Sequence, residues 1–115
     1  MSEETQRKMS SLATIIEICS KPDYIKILQY LDSVGEPMSP SQIEAITSVP
    51  YDKAIVACYR MVSIQILELH RNAVDKRHIR FSLLDDEMLK KIFDYYDKHA
   101  ERLKTELNKE GVIEV

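Results

Sequence analysis

Apolar residues recur at three- and four-residue spacing along most of this chain, and that rhythm predicts a largely helical protein. From Thr5 to Cys19 the positions Met9, Leu12, Ala13, Ile16 and Cys19 trace one helical stripe. Ile15 and Ile18 widen the stripe beyond what one small core needs. The surplus points to a second buried face, a subunit contact through Leu12 and Ile16. In "SKPDYIKILQYLDSVG" the pattern begins a second helix. Ser20 is the expected N-cap, with Pro22 and Asp23 suited to the first turn and Gly35 to the C-terminal stop. Tyr24, Ile27, Leu28 and Leu31 form its apolar face.

The third helix starts at "EPMSPSQIEAI", where Ser39, Pro40 and Gln42 make a capping box with proline at the first helical position. Ile43 and Ile46 are expected to point inward. Thr47, Ser48 and Pro50 end the helix early. A fourth runs from Pro50 to Ser63, with Ala54, Ile55, Cys58, Met61 and Val62 on its apolar side. Tyr51, Asp52, Lys53, Val56, Ala57 and Arg60 fall on the other. Two short helices so close together make a helix-turn-helix.

The period then changes from helical to alternating. Ile79, Phe81 and Leu83 alternate with His78, Arg80 and Ser82, and Ile66, Leu67 and Leu69 suit a partner strand. The polar "RNAVDKR" between them reads as a hairpin tip, so this segment has the form of a wing. Helical spacing resumes in "LDDEMLKKIFDYYDKHAERLKTELNKEG". Asp85 can cap this long helix and Gly111 can stop it. Leu89, Phe93, Tyr96, Ala100, Leu103 and Leu107 follow a coiled-coil seam, which predicts a homodimer.

Composition sharpens the pattern. The chain has 115 residues, 44% of them hydrophobic and 30% charged, which fits one globular domain. Its 2 glycines and 4 prolines leave little material for an all-β fold. No apolar run reaches the length of a membrane span and the N-terminus lacks the apolar core of a signal peptide, so a cytoplasmic location is expected. Cys19 and Cys58 sit in helical apolar patterns and are expected to be buried, reduced thiols. The net charge of −3 argues against indiscriminate coating of nucleic acid. Its distribution matters more. Residues 70–83 hold Arg71, Lys76, Arg77 and Arg80 against Asp75, together with His70 and His78, while the segments on both sides are acidic.

The succession of helices, helix-turn-helix, wing and long terminal helix resembles the winged helix-turn-helix regulators of bacteria and archaea, most nearly the ArsR-like group. "CSKPDYIKILQYL" is similar to that group's opening phrase, "SVPYDKAIVACYRMVSIQILELHR" to its recognition-helix signature, and "RHIRFSLLD" to the second wing strand. The likeness covers roughly residues 18–100, with Ser48 and Gln65 standing where the group has glycines. It implies one winged-helix domain over 1–115, mainly α with a small β-hairpin. Its parts are an N-terminal helix at 5–19, a core at 20–84 and a dimerisation helix at 85–110.

The resemblance also implies a function, sequence-specific binding of double-stranded DNA by a dimeric transcriptional regulator. Tyr51, Asp52, Lys53, Val56, Ala57 and Arg60 would face the major groove. Arg71, Lys76, Arg77, His78 and Arg80 would meet phosphates or the minor groove, and Ser39 and Ser41 a phosphate. The dimer interface would use Leu12, Ile16, Leu89, Phe93, Tyr96, Ala100, Leu103 and Leu107. No cofactor or metal is expected: Cys58 stands alone, and Asp97 and His99 lack a matching His-x-x-Glu segment. No glycine-rich phosphate loop or nucleophile–base motif suggests an enzyme. The alternative is a winged-helix module that binds a protein partner through the fourth helix, favoured by the exposed Val56 and Tyr51 and by the poverty of basic residues there.

Overall fold

A computed structural model describes residues 12–75 and 78–109 of the chain. Helix α1 covers residues 12–19, and the part of the expected first helix before residue 12 lies outside the described residues. The core side of α1 is Ile15, Ile18 and Cys19, whereas Leu12 and Ile16 are exposed. The residues that widen the stripe are the ones the core takes.

Helix α2 (Pro22–Val34) buries Tyr24, Ile25, Ile27, Leu28 and Leu31 and ends at Gly35, whose φ of 73° is the left-handed stop that glycine adopts without strain. Its N-cap is Lys21 rather than Ser20. The Ser20 hydroxyl instead donates back to the Glu17 carbonyl, closing the end of α1. Because Pro22 supplies φ but no N–H at the first helical position, the helix starts without a side-chain cap.

Helix α3 (Pro40–Thr47) carries the expected capping box: Gln42 N–H donates to Ser39 Oγ at 3.2 Å, and Ser39 N–H to Gln42 Oε1 at 2.9 Å. Ile43 is buried, but Ile46 is 61% exposed and does not point inward. The turn into α4 (Tyr51–Ser63) instead buries Val49. Pro50 offers α4 no side-chain cap. The missing acceptor comes from the neighbouring helix, for Glu44 Oε2 accepts from Tyr51 N–H at 2.7 Å. One carboxylate on α3 therefore satisfies the positive end of α4 and fixes the two helices to each other.

Among the described residues, the non-glycine positions Ser48 and Gln65 take left-handed backbone, each at φ 64°. Beyond α4, Gln65 N–H donates to the Val62 carbonyl and Ile66 N–H to that of Met61, an overlapping pair that closes the helix end. Ile66 and Met61, both buried, make the apolar pair typical of such a stop. The geometry served by glycine in the resembling group is thus kept here by Gln65, at a steric cost of about 1 kcal/mol.

Strands β1 (Leu67–Arg71) and β2 (Ile79–Leu83) pair antiparallel, with Leu69 opposite Phe81 and His70 opposite Arg80. Phe81 exchanges both backbone hydrogen bonds with Met38, at 2.9 and 2.8 Å, so the segment before α3 adds a one-residue third strand. The Phe81 ring is fully buried and meets Tyr59 of α4 edge to face, with centroids 5.6 Å apart. One residue thereby joins the hairpin, the start of α3 and α4.

Helix α5 (Asp86–Lys109) is capped as expected, Met88 N–H donating to Asp85 Oδ1 at 3.0 Å. Leu89 and Ile92 dock it on the core, and the Cys19 thiol donates to the Ile92 carbonyl at 3.4 Å. No buried side chain among the described residues is polar or charged.

Candidate nucleic-acid interface

The outer face of α4 is shaped by the inner one. Ala54, Ala57, Cys58 and Met61 are buried, which leaves Tyr51, Asp52, Lys53, Val56, Tyr59 and Arg60 outside. Helical spacing puts Ala57 on the outer face, but at 2% exposure it belongs to the core and has no surface to offer a ligand. Its small side chain lies on the boundary between the two faces, where spacing alone assigns it to neither. Val56, 67% exposed, stands out on the free side.

Arg60 is committed elsewhere. Its Nη2 lies 2.9 Å and its Nε 3.2 Å from the two Glu17 carboxylate oxygens, a bidentate pair between α4 and α1. The hydrogen bonds and charge of Arg60 hold the Glu17 carboxyl below its ordinary pKa, although slight burial works the other way. Lys53 is left as the cation of this face that enters no ion pair or hydrogen bond among the described residues. Beside it a shallow concavity of about 310 Å³ runs between the start of α2 and α4, edged by Asp23, Asp52, Lys53 and Val56.

The wing is built differently. Its inner face is Leu67, Leu69, Phe81 and Leu83, all buried or half-buried, while Glu68, His70 and Arg80 point outward. At the tip, Asn72 Oδ1 accepts from the N–H groups of Val74 and Asp75, at 2.8 and 3.1 Å, and so shapes the turn. Val74 is 96% exposed. Lys76 and Arg77, both expected at the interface, lie outside the described residues.

Between the wing and the start of α3 lies a concavity of about 620 Å³. Ser39 and Gln42 form one wall, and His70, Arg71, His78 and Arg80 the other. Ser39 Oγ accepts within the capping box and keeps its own proton to donate. His70 Nε2 is 2.7 Å from Ser82 Oγ and 3.9 Å from Glu68, and His78 Nε2 is 3.2 Å from Asp75. Four side chains capable of positive charge thus share one cleft, a setting suited to an oxyanion. Ser41 is exposed on the first turn of α3.

No family model matches the sequence and no curated protein matches it. Solved structures do. The chain is similar to the homodimeric winged helix-turn-helix DNA-binding domain Mb0332 from Mycobacterium bovis, a possible ArsR-family transcriptional regulator. The TM-score is 0.65 at 12% identity, covering 91% of this chain and 93% of that one. It is also similar to the transcriptional repressor BigR from Xylella fastidiosa, with a TM-score of 0.64 at 16% identity over 84% of this chain and 95% of that one. The YusO protein from Bacillus subtilis gives 0.60 at 18% identity, over 89% and 83%. The fold is a winged helix-turn-helix.

In this winged helix the residues expected at a subunit contact divide. Leu12 and Ile16 are exposed on α1, and Phe93 and Tyr96 are half-buried on α5. Leu89 is only 4% exposed and packs in the core of the chain itself, which leaves it almost no surface for the expected seam. The seam pattern could not separate it from Ile92, which is buried beside it. The side chains of Ala100, Leu103 and Leu107 lie outside the described residues. Burial raises the Cys58 thiol to about 12 and Cys19 to about 11, and both are free. No helix among the described residues is long and apolar enough to cross a membrane.

Two contributors have no signature in the sequence. Glu44 caps α4 and Glu17 engages Arg60, and neither has a local signal because each acts on a helix other than its own. His70 is visible in the basic stretch, but only the strand register sets it opposite Arg80.

Proposed function

We infer that this chain is a transcriptional regulator that binds double-stranded DNA sequence-specifically as a homodimer. The observation that carries the reading is the cationic cleft between the wing and α3, set beside the free outer face of α4. In this reading Tyr51, Asp52, Lys53 and Val56 enter the major groove. Arg71, Lys76, Arg77, His78 and Arg80 reach phosphates or the minor groove, and Ser39 and Ser41 hold a phosphate at the start of α3. Arg60 joins them only when a phosphate displaces Glu17. Asp52 can accept from cytosine N4, so an acidic residue there is compatible with base reading.

A second copy would pack on the exposed Leu12 and Ile16 and on the α5 seam of Phe93, Tyr96, Ala100, Leu103 and Leu107. Two wings then bind a pseudo-palindromic site, and on the order of 7 counterions are released if four cations per subunit meet phosphates. The named homodimer and the named repressor among the similar structures support this reading. The protein acts in the cytoplasm, without a cofactor.

Titration against random duplex DNA at several salt concentrations tests the reading, with a steep fall of affinity as salt rises. No binding at low salt would overturn it. The assembly is tested by sedimentation of a chain ending after His99, which keeps Leu89 and Ile92 and should be a folded monomer.

A further inference from the structure

His70 and His78 face one cleft together with Arg71 and Arg80, and histidine is the side chain whose ordinary titration falls near neutral pH. The groups around them are unevenly placed. His70 also borders a second concavity of about 350 Å³, where Asp32 and Glu36 approach from the end of α2 and Asp86 from α5, with Ser82 of β2 beside them. Glu68 of its own strand is 3.9 Å away. His78 has Asp75 at 3.2 Å. Carboxylates therefore lie near each imidazole.

On the cleft side the imidazoles share the space with the two arginines. A phosphate seated between Arg71 and Arg80 brings negative charge to the imidazoles. It neutralises the arginines and adds an acceptor for an imidazolium N–H, so the ring holds its proton more tightly with the anion present. By linkage, whatever raises proton affinity on binding makes binding stronger as pH falls.

We propose that this cleft is a proton-linked phosphate seat, in which His70 and His78 take up protons as a nucleic-acid backbone phosphate docks and so make DNA affinity fall as pH rises. The inference rests on the DNA-binding reading and adds a regulation to it. Neither histidine needs to touch a base, so the effect acts equally on every sequence. It tunes residence on DNA without changing the site preferred.

The full-length chain is titrated against a random duplex at constant ionic strength between about pH 8 and about pH 6. Affinity should rise on the order of tenfold over that interval. The variant carrying His70→Gln and His78→Gln, which keeps hydrogen-bonding capacity, should bind with a nearly flat profile. His99→Gln, on α5 with its ring tilted 36° against that of Tyr95, should keep the original slope. Calorimetry in buffers of different ionisation enthalpy should register proton uptake for the original chain and little for the double variant. A flat profile in the original chain, or a slope unchanged in the double variant, overturns the proton linkage and leaves the DNA reading standing. Absence of DNA binding at every pH overturns both.

Discussion

Helix α4 and the wing occupy adjacent parts of the same face, yet they are equipped in opposite ways. The helix is firmly held, capped by Glu44 and closed by the left-handed Gln65, but its one arginine is tied to Glu17 and its outer face mixes Tyr51, Val56 and Tyr59 with the opposed charges of Asp52 and Lys53. The wing gathers Arg71, Arg80, His70 and His78 around a cleft, on a hairpin anchored through Phe81. Position and charge have been assigned to different elements. In the proposed DNA complex, a helix with so little net charge would contribute shape and selected contacts, while the hairpin would supply general attraction.

The sharpest way to break this arrangement is to remove what joins the two elements. Phe81→Ala empties a fully buried site shared by the hairpin and Tyr59, and should cost about 3–5 kcal/mol in a denaturant unfolding experiment. A loss confined to the hairpin, with the helices unchanged in stability, would contradict that joining role.

Charge reversal separates the roles directly. Arg80→Glu should weaken binding to all duplexes alike and lower the salt slope by about 1 for each phosphate the wing no longer meets. Lys53→Glu should alter the preference among sequences more than the slope. Equal slope changes from both would show that α4 shares the electrostatic work.

Smaller changes probe how α4 is held. Glu44→Ala removes the cap on Tyr51 N–H and should destabilise the fold by about 1 kcal/mol, read from the midpoint of thermal or urea unfolding. Gln65→Gly relieves the left-handed strain and should stabilise by roughly 0.5 kcal/mol, since the gain in the folded state is offset by a more flexible unfolded chain.

The smallest effect concerns the pair that occupies Arg60. Arg60 lowers the Glu17 pKa in the folded chain, so its contribution is present above the ordinary carboxylate pKa and is lost as pH falls through the lowered value. Glu17→Gln should therefore slightly flatten the acid side of the stability profile. The same change frees a cation on α4 and should modestly strengthen DNA binding near neutral pH.

Elements whose signals are local were legible from the residues alone. The Ser39–Gln42 capping box, the Gly35 stop, the Asp85 cap and the alternation of Ile79, Phe81 and Leu83 each lie within a few positions of what they act on. Assignments that needed the third dimension went differently. Ala57 and Leu89 lie on borders between faces, Ile46 is left outside because Val49 fills the core beneath the turn, and Ser20 yields to a helix that Pro22 starts unaided. The candidate site followed the same rule. The basic residues were visible as a run, whereas the cleft they wall depends on α3 approaching the hairpin through Met38.

That approach carries a dynamic consequence. A two-stranded hairpin alone is at best marginally stable in water, and this one gains its third strand from a residue far earlier in the chain. The wing therefore cannot fray independently while Met38 and Phe81 stay paired. Their amide hydrogens should exchange with solvent only when the whole domain opens, whereas the Val74 and Asp75 amides, held only by Asn72 Oδ1 at an exposed tip, should exchange much sooner. The base of the wing should therefore open only with the core, and the Met38–Phe81 pairing fixes the root from which the tip extends.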